Sequence, residues 1–392
     1  MNRISELEKT YVIDALNNEF QTSKNSIYTG KLEAKFGEIF KQTYCISHVN
    51  GTATMHTALN AIGVGPGDEV IVPPLTMSST SLCVLQNGSI PVFADVDLNT
   101  FNISPDSIRK CITQKTKAII TVSLYGLAPE YDEILNICNE NNIALIEDNA
   151  QCFLGYYKGR LVGDFGDFAS YSFQASKHIT SGEGGMLTTK SKALADNSRR
   201  FSSLGYAGVS ASQGKITRND IQNPNYDTHV SLGFNYRMSE IQSAVALGQL
   251  ERIEELVNIR KKVAHLFDEA LEGSNIVQKQ FTPEYCVNSY WAYSFILKTD
   301  NPSKDWFLFR DLFQKNGGDG FYSAWKLTYF EPLFLNEIQN QKGIFQKYGK
   351  GLCPNAEYLQ PRMIQLKTNY WDLSEAATQA NILKKTLIEF DN

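Results

Sequence analysis

The sequence predicts an α/β protein, with a large domain built on a mostly parallel sheet flanked by helices and a smaller C-terminal α/β domain after it. The length of 392 residues exceeds one ordinary domain and falls short of three. Hydrophobic residues make up 42% and charged residues 20%, with no long polar tract, so nearly the whole chain is expected to fold. From about residue 45 to residue 190, short apolar β-rich runs alternate with helical patterns, the signature of strands joined by crossover helices.

The strand candidates are Glu69 to Val72, Pro91 to Val96, Lys117 to Val122, Ile143 to Ile146 and Ala169 to Phe173. Helical stretches such as Thr54 to Ile62 and Glu130 to Glu140 lie between them. In such sheets the site lies at the carboxyl ends of the strands. After Ser202 the pattern breaks, and Gly205 to Thr228 reads as a polar loop of a length associated with function or mobility. From Met238 a long helix is expected with Ile241, Ala244, Leu247, Leu250, Ile253 and Leu256 on one face. It carries the chain from a large domain, 1–250, into a small one, 251–392. There a first helix, a strand at Tyr290 to Leu297 and a last helix from Leu373 to Phe390 are expected to close the site and bind substrate.

The net charge of −5 is spread along the chain, and no basic cluster is interleaved with stacking aromatics, which argues against nucleic acid as a partner. Cys45, Cys83, Cys111, Cys138, Cys152, Cys286 and Cys353 fit neither a metal knuckle nor a disulfide scaffold and read as thiols in a reducing compartment. His48, His56, His229 and His265 are too scattered to suggest a metal. No signal-peptide core or membrane-length apolar run is present, so the expected location is the cytoplasm, with no membrane partner.

Several segments carry chemistry. Asn50-Gly51-Thr52-Ala53 precedes a helix, where small residues leave amides free for a phosphate; the same pattern also serves as a plain cap. Glu147-Asp148 ends an apolar strand, where a carboxylate either pairs with a protonated ring nitrogen of a cofactor or caps a helix. Lys177 sits between a strand and the glycine-rich Gly182-Glu183-Gly184-Gly185, on short packed backbone where a lysine loses pKa and becomes an imine former.

Ser172-Phe173, Lys177 and Gly182-Glu183-Gly184-Gly185, at this spacing, resemble the DegT/DnrJ/EryC1/StrS family of sugar aminotransferases. The resemblance continues through Gly51-Thr52-Ala53, Gly65 to Pro73, Leu124-Tyr125-Gly126, Glu147-Asp148, Gly163 to Phe168 and Gly233 to Ser239, over roughly residues 4 to 260. It implies the type I fold of pyridoxal 5'-phosphate (PLP) enzymes with a seven-stranded sheet. It further implies Lys177 as the Schiff-base lysine and proton shuttle, Asp148 on the pyridine nitrogen, and Gln151 against the ring and its 3-hydroxyl. The phosphate would lie on the Thr52 and Ala53 amides and the Ser172 hydroxyl, with Asn235 reaching in from a second subunit of a homodimer.

The implied reaction moves an amino group from L-glutamate to a keto sugar carried on a nucleotide, in two alternating halves. Departures from the family bear on the substrate side. Met77 stands where an aromatic ring usually stacks on the cofactor, Ser123 where His is common, and Gly317 to Lys326 replaces a Val-His-Tyr-type segment. Arg237 is a candidate for an anionic substrate group, against an ordinary ion pair. His178 is given a supporting substrate role at most, against simple packing. The alternatives are transamination of a small phosphorylated ketone, a PLP-dependent sugar dehydratase and a non-catalytic regulator on the same fold. Against a nicotinamide enzyme, the glycines after Lys177 do not form the Gly-x-Gly-x-x-Gly pattern.

Overall fold

In the computed structural model, which describes residues 2–18, 26–214, 216–340 and 346–391, the strands follow in chain order. They are β1 (Tyr44–His48), β2 (Glu69–Val72), β3 (Ile90–Phe93), β4 (Thr116–Val122), β5 (Ala144–Asp148), β6 (Tyr156–Tyr157), β7 (Arg160–Leu161), β8 (Phe168–Ser172) and β9 (Gly185–Thr189), then β10 (Val277–Lys279), β11 (Cys286–Val287), β12 (Ala292–Leu297) and β13 (Met363–Lys367). Seven of them form one sheet in the order β1-β9-β8-β5-β4-β2-β3. The pairs β2 with β3, β2 with β4, β4 with β5 and β5 with β8 are parallel.

These strands are apolar on both faces because each face is covered. Val70 and Val72 of β2 enter one core cluster while Ile71 between them enters another. In β4, Ala118 and Ile120 face the first cluster and Ile119 the second, the two-residue period of a pleated strand.

Two strands escape the sequence reading. β9 runs antiparallel to both β8 and β1, so β1 points the same way as β8 and ends at the same edge of the sheet. No helix separates β9 from β8, and a crossover helix between strands is the signal the sequence reading follows. The long helix expected from Met238 is two, Glu240–Glu251 and Ile253–Leu271, broken at Arg252 with φ −110° and ψ 14°. The break is tied down: Arg252 donates through Nη1 to the buried Glu8 carboxylate at 3.1 Å. Glu8 lies on the N-terminal helix Glu6–Asn17, which packs across Glu240–Glu251. Close packing there needs Gly248, since a Cβ at that position would meet Glu8 Cγ at 2.8 Å. The described residues of the 205–228 stretch include one short helix, Arg218–Gln222.

The C-terminal part builds an antiparallel sheet, β10-β12-β13, packed by the helices Ile253–Leu271, Pro302–Lys315 and Leu373–Asp391 around Phe267, Phe295, Phe309 and Leu383. The chain between Ala324 and Met363 returns to the core of the first sheet. Phe334 and Tyr348 meet Phe93 edge-on with ring centroids 5.5 and 5.6 Å apart, and the Asp95 carboxylate accepts the amides of Asn355 and Ala356 at 2.9 Å each. Removing an aromatic anchor such as Phe93 would cost about 3–5 kcal/mol. No helix among the described residues is long and apolar enough to cross a membrane.

Candidate active site

At the carboxyl edge of the sheet, β4, β5 and β8 end side by side, and the helix Gly51–Ala61 starts just past β1. A cavity of about 560 Å³ opens there, lined by Asn50, Gly51, Thr52, Met77, Asp148, Gln151, Ser172 and Lys177. Most of the residues singled out in the sequence therefore meet in one place.

The helix start is pressed against β8. The Thr54 hydroxyl lies 2.6 Å from the Ser170 hydroxyl, and a Cβ on Gly51 would come within 2.9 Å of Ser172 Cβ. Only glycine allows this approach. The Ala53 amide donates to the Asn50 side chain at 2.8 Å. This corrects the expectation that Ala53 is one of the anion-binding amides: the cap takes it, and the amides that remain at the turn are those of Gly51 and Thr52.

Asp148 is buried at the end of β5. Its oxygens accept the Thr80 hydroxyl at 2.9 Å and the Ala150 amide at 3.1 Å. Burial raises its pKa, while these two bonds and the nearby Lys177 amine pull it down. Gln151 accepts the Tyr125 amide through its carbonyl oxygen at 2.8 Å, which leaves its NH₂ as the donor. Tyr125 reaches this position with φ 59°, a left-handed backbone that only tertiary contacts hold in a bulky residue.

Lys177 lies on a turn closed by its own amide donating to the Gln174 carbonyl at 2.9 Å and by the Ser181 amide on the Phe173 carbonyl at 3.0 Å. Gly182, with φ +82°, makes the next bend. The Lys177 carbonyl accepts Arg3 Nη2 at 3.0 Å and Arg260 Nη2 at 3.1 Å. Its ammonium nitrogen lies 4.3 Å from the centre of the Trp291 ring. Burial lowers the amine to about 8, with Asp148 opposing and Arg260 reinforcing the shift. A lysine so tuned exchanges protons near neutral pH.

Other expected residues lie elsewhere. His178 is not a substrate contact: it is fully buried, bonds the Ser289 carbonyl through Nε2 at 2.9 Å and packs against Phe153. Burial holds its imidazole neutral, well below its usual range. Ser123 likewise turns away from the cavity, donating to Asn149 at 2.8 Å. Arg237 does not line the cavity; its backbone bridges His48, and its buried Nη1 has no hydrogen-bond partner among the described residues. Asn235 is exposed, with its backbone bridged to Ser203 and its side chain outside the cavity of its own chain.

The sequence reading missed Thr80, Trp291, Arg3 and Arg260, while Trp325 lies in the Gly317 to Lys326 segment that it placed on the substrate side. The four missed residues belong to no motif, so only folding reveals them. Among the described residues no group of three His, Cys, Asp or Glu is placed to hold a metal. The arrangement can hold an anion at the helix start and a protonated ring nitrogen at Asp148, with a near-neutral amine beside them.

A model of the DegT/DnrJ/EryC1/StrS aminotransferase family matches residues 2–383. The GDP-perosamine synthase of Escherichia coli O157:H7 is 35% identical over 74% of this chain and 75% of its own. The UDP-2-acetamido-2-deoxy-3-oxo-D-glucuronate aminotransferase of Pseudomonas aeruginosa is 35% identical over 69% of this chain and 70% of its own. Among solved structures, an aminotransferase from Psychrobacter cryohalolentis superposes with a TM-score of 0.85 at 26% identity, covering 99% of this chain and 98% of the other.

Proposed function

Because the chain belongs to the DegT/DnrJ/EryC1/StrS aminotransferase family and is a pyridoxal-phosphate-dependent aminotransferase, we propose that it transfers an amino group from L-glutamate to a nucleotide-linked keto sugar. The observation that carries this reading is the shared cavity of Lys177, Asp148 and the Gly51-Thr52 helix start. The relatives named for GDP- and UDP-sugar amination support the acceptor class.

The residues fit the cofactor. The cradle between Gly51 and Ser172 has no room for a Cβ, as suits a phosphate held by backbone. The buried Asp148 has no cationic partner bonded to it among the described residues, and a protonated ring nitrogen would offset its burial. When bound, the cofactor supplies an electron sink next to the substrate carbon. In this reading the Thr52 amide and Ser172 hydroxyl hold the phosphate, Asp148 holds the ring nitrogen in its protonated form, and the Gln151 NH₂ bonds the 3-hydroxyl. Met77 contacts the ring. Lys177 would hold the cofactor covalently, and, once the donor's amine had displaced it, its freed amine would move the proton at the substrate carbon.

Asn235 completes the phosphate site of a second copy in a homodimer. It lies beside Leu232, which is 80% exposed, and the exposed Val230 and Phe234, an apolar edge that a second copy would cover. The mostly buried cysteines, which form no disulfide among the described residues, fit the cytoplasm. Residues 1–250 form the cofactor domain and 251–392 the closing domain, with the returning segment from Ala324 joining the two.

The test is an absorption spectrum of the purified protein with pyridoxal phosphate, before and after L-glutamate, for wild type and Lys177→Ala. A band near the visible edge that glutamate removes in wild type, and that the variant lacks, supports the reading. A wild type that forms no such band overturns it.

A further inference from the structure

The backbone that leads into the N-terminal helix Glu6–Asn17 is tied down at the break between the helices Glu240–Glu251 and Ile253–Leu271. The Arg3 carbonyl accepts Gln249 Nε2 at 2.8 Å and Arg252 Nη1 at 3.3 Å, and the Asn2 carbonyl accepts Arg252 Nη2 at 2.9 Å. Ser5 caps the helix, its hydroxyl accepting the Leu7 amide at 3.2 Å and its own amide donating to the Glu8 carboxylate at 2.9 Å. Gln249 and Arg252 both donate to that same carboxylate. From this fixed backbone the Arg3 side chain reaches the reactive lysine turn, 174 residues further along the chain.

The two peptide groups that flank the Lys177 Cα are each held twice. The Ser176 carbonyl accepts Trp291 Nε1 at 3.0 Å and Arg260 Nη2 at 3.2 Å, while the Lys177 carbonyl accepts Arg3 Nη2 at 3.0 Å and Arg260 Nη2 at 3.1 Å. Both lone pairs of each oxygen are thus engaged. Stability alone is a poor reason for this crowding. Arg3 and Arg260 carry like charges, share one neutral acceptor and lie 5.9 and 6.0 Å from the centre of the same Trp371 ring. The Arg3 Nε is buried with no hydrogen-bond partner among the described residues, and burial lowers the Arg3 pKa. Arg3 in turn helps burial to depress Arg260 to about 9. Buried cations on neutral acceptors add little to stability. What the arrangement gains is a lysine turn that cannot tilt.

We propose that Arg3 is a positioning residue for Lys177: it fixes the peptide after the lysine so that the amine stays aimed into the cavity, ready to link to the cofactor. The inference rests on the reading of Lys177 given above and adds a residue that lies outside the lysine cavity. Linking an amine to an aldehyde needs the two atoms in attack geometry, and a misplacement of about 1 Å costs on the order of a hundredfold.

The experiment is equilibrium dialysis of pyridoxal phosphate and, separately, of pyridoxamine phosphate against the full chain, for wild type, Arg3→Met and Arg3→Lys. The visible band records the link to Lys177. Pyridoxamine phosphate has no aldehyde, so its affinity reports the pocket alone, while that of pyridoxal phosphate reports the pocket and the lysine together. Arg3→Met should bind pyridoxal phosphate about tenfold or more weaker and form the band more slowly, with pyridoxamine phosphate held within about twofold of wild type. Arg3→Lys keeps the charge without the planar fork and should lose about threefold for pyridoxal phosphate and nothing for pyridoxamine phosphate. Equal losses for the two cofactor forms would make Arg3 a structural residue only, and no loss for either would remove it from the site; each result overturns the proposal while the Lys177 reading stands. Should Arg3→Met fail to fold, Arg3→Lys is read in the same way. A wild type that binds pyridoxal phosphate without the visible band overturns the Lys177 reading and the proposal with it.

Discussion

Arg260 Nη2 lies 3.1 Å from the carbonyl oxygen of Lys177, and Nη1 of the same guanidinium lies 2.9 Å from the carbonyl of Trp291, whose ring covers the Lys177 amine. One buried cation from the helix Ile253–Leu271 thus holds both the reactive lysine turn and its aromatic cover. Arg260→Met should leave these carbonyls unpaired, at about 1–3 kcal/mol each, and lower the melting temperature by several degrees. It also removes a positive charge near the amine, so the Lys177 midpoint should rise above 8. Arg260→Lys should lower the melting temperature while keeping the midpoint. Equal midpoints in wild type and Arg260→Met would limit Arg260 to a structural role.

The Lys177 amine gives a pH dependence with a definite sign. Its pKa falls from 10.5 to about 8, so it is protonated below that pH and a free nucleophile above it. Cofactor loading of the apoprotein should accelerate with rising pH through about 8 and level off there. The unfolded chain keeps its proton up to 10.5, so this group adds stability as pH rises between the two values and adds none below them. Stopped-flow measurement of the visible band at several pH values checks this; a midpoint near 10.5 would contradict it.

Asp148→Asn replaces a buried carboxylate by a near-isostere that keeps the Thr80 bond but not the charge. The protein should fold and take up cofactor more weakly. The glutamate half-reaction should slow on the order of a hundredfold or more, the scale for losing a preorganised electrostatic partner. Single-turnover kinetics separates the two effects, and an unchanged rate would remove Asp148 from the reaction.

Gly51→Ala tests the cradle. The added methyl would lie 2.9 Å from Ser172 Cβ, an overlap that backbone must relieve at about 1–3 kcal/mol. The cofactor dissociation constant should rise roughly tenfold, read by equilibrium dialysis. Since Gly51 does not have a left-handed backbone, strain of its own conformation does not contribute.

The proposal that Asn235 serves the site of a second copy predicts complementation. Lys177→Ala and Asn235→Ala homodimers should each be impaired. Mixing them under conditions of subunit exchange should restore activity, because one hybrid site combines intact Lys177 with intact Asn235. Absence of recovery despite demonstrated exchange would place Asn235 outside the partner's site.

The sequence by itself determined the parallel sheet and the location of its carboxyl edge, and it marked Gly51, Asp148 and Lys177 through small residues before a helix, a carboxylate at a strand end and a lysine beside a glycine turn. The place of Ser172 among them came from the family resemblance. The antiparallel β9 was not legible because it follows β8 directly, with no crossover helix between them to mark a second strand. The cap on the Ala53 amide and the packing of His178 were left as alternatives to their site roles, and the meeting of Arg260 and Trp291 at the lysine was not legible at all. Those depend on which faces pack together. A side chain's direction and partners are set by tertiary burial, where a polar group must find a bond wherever the fold supplies one.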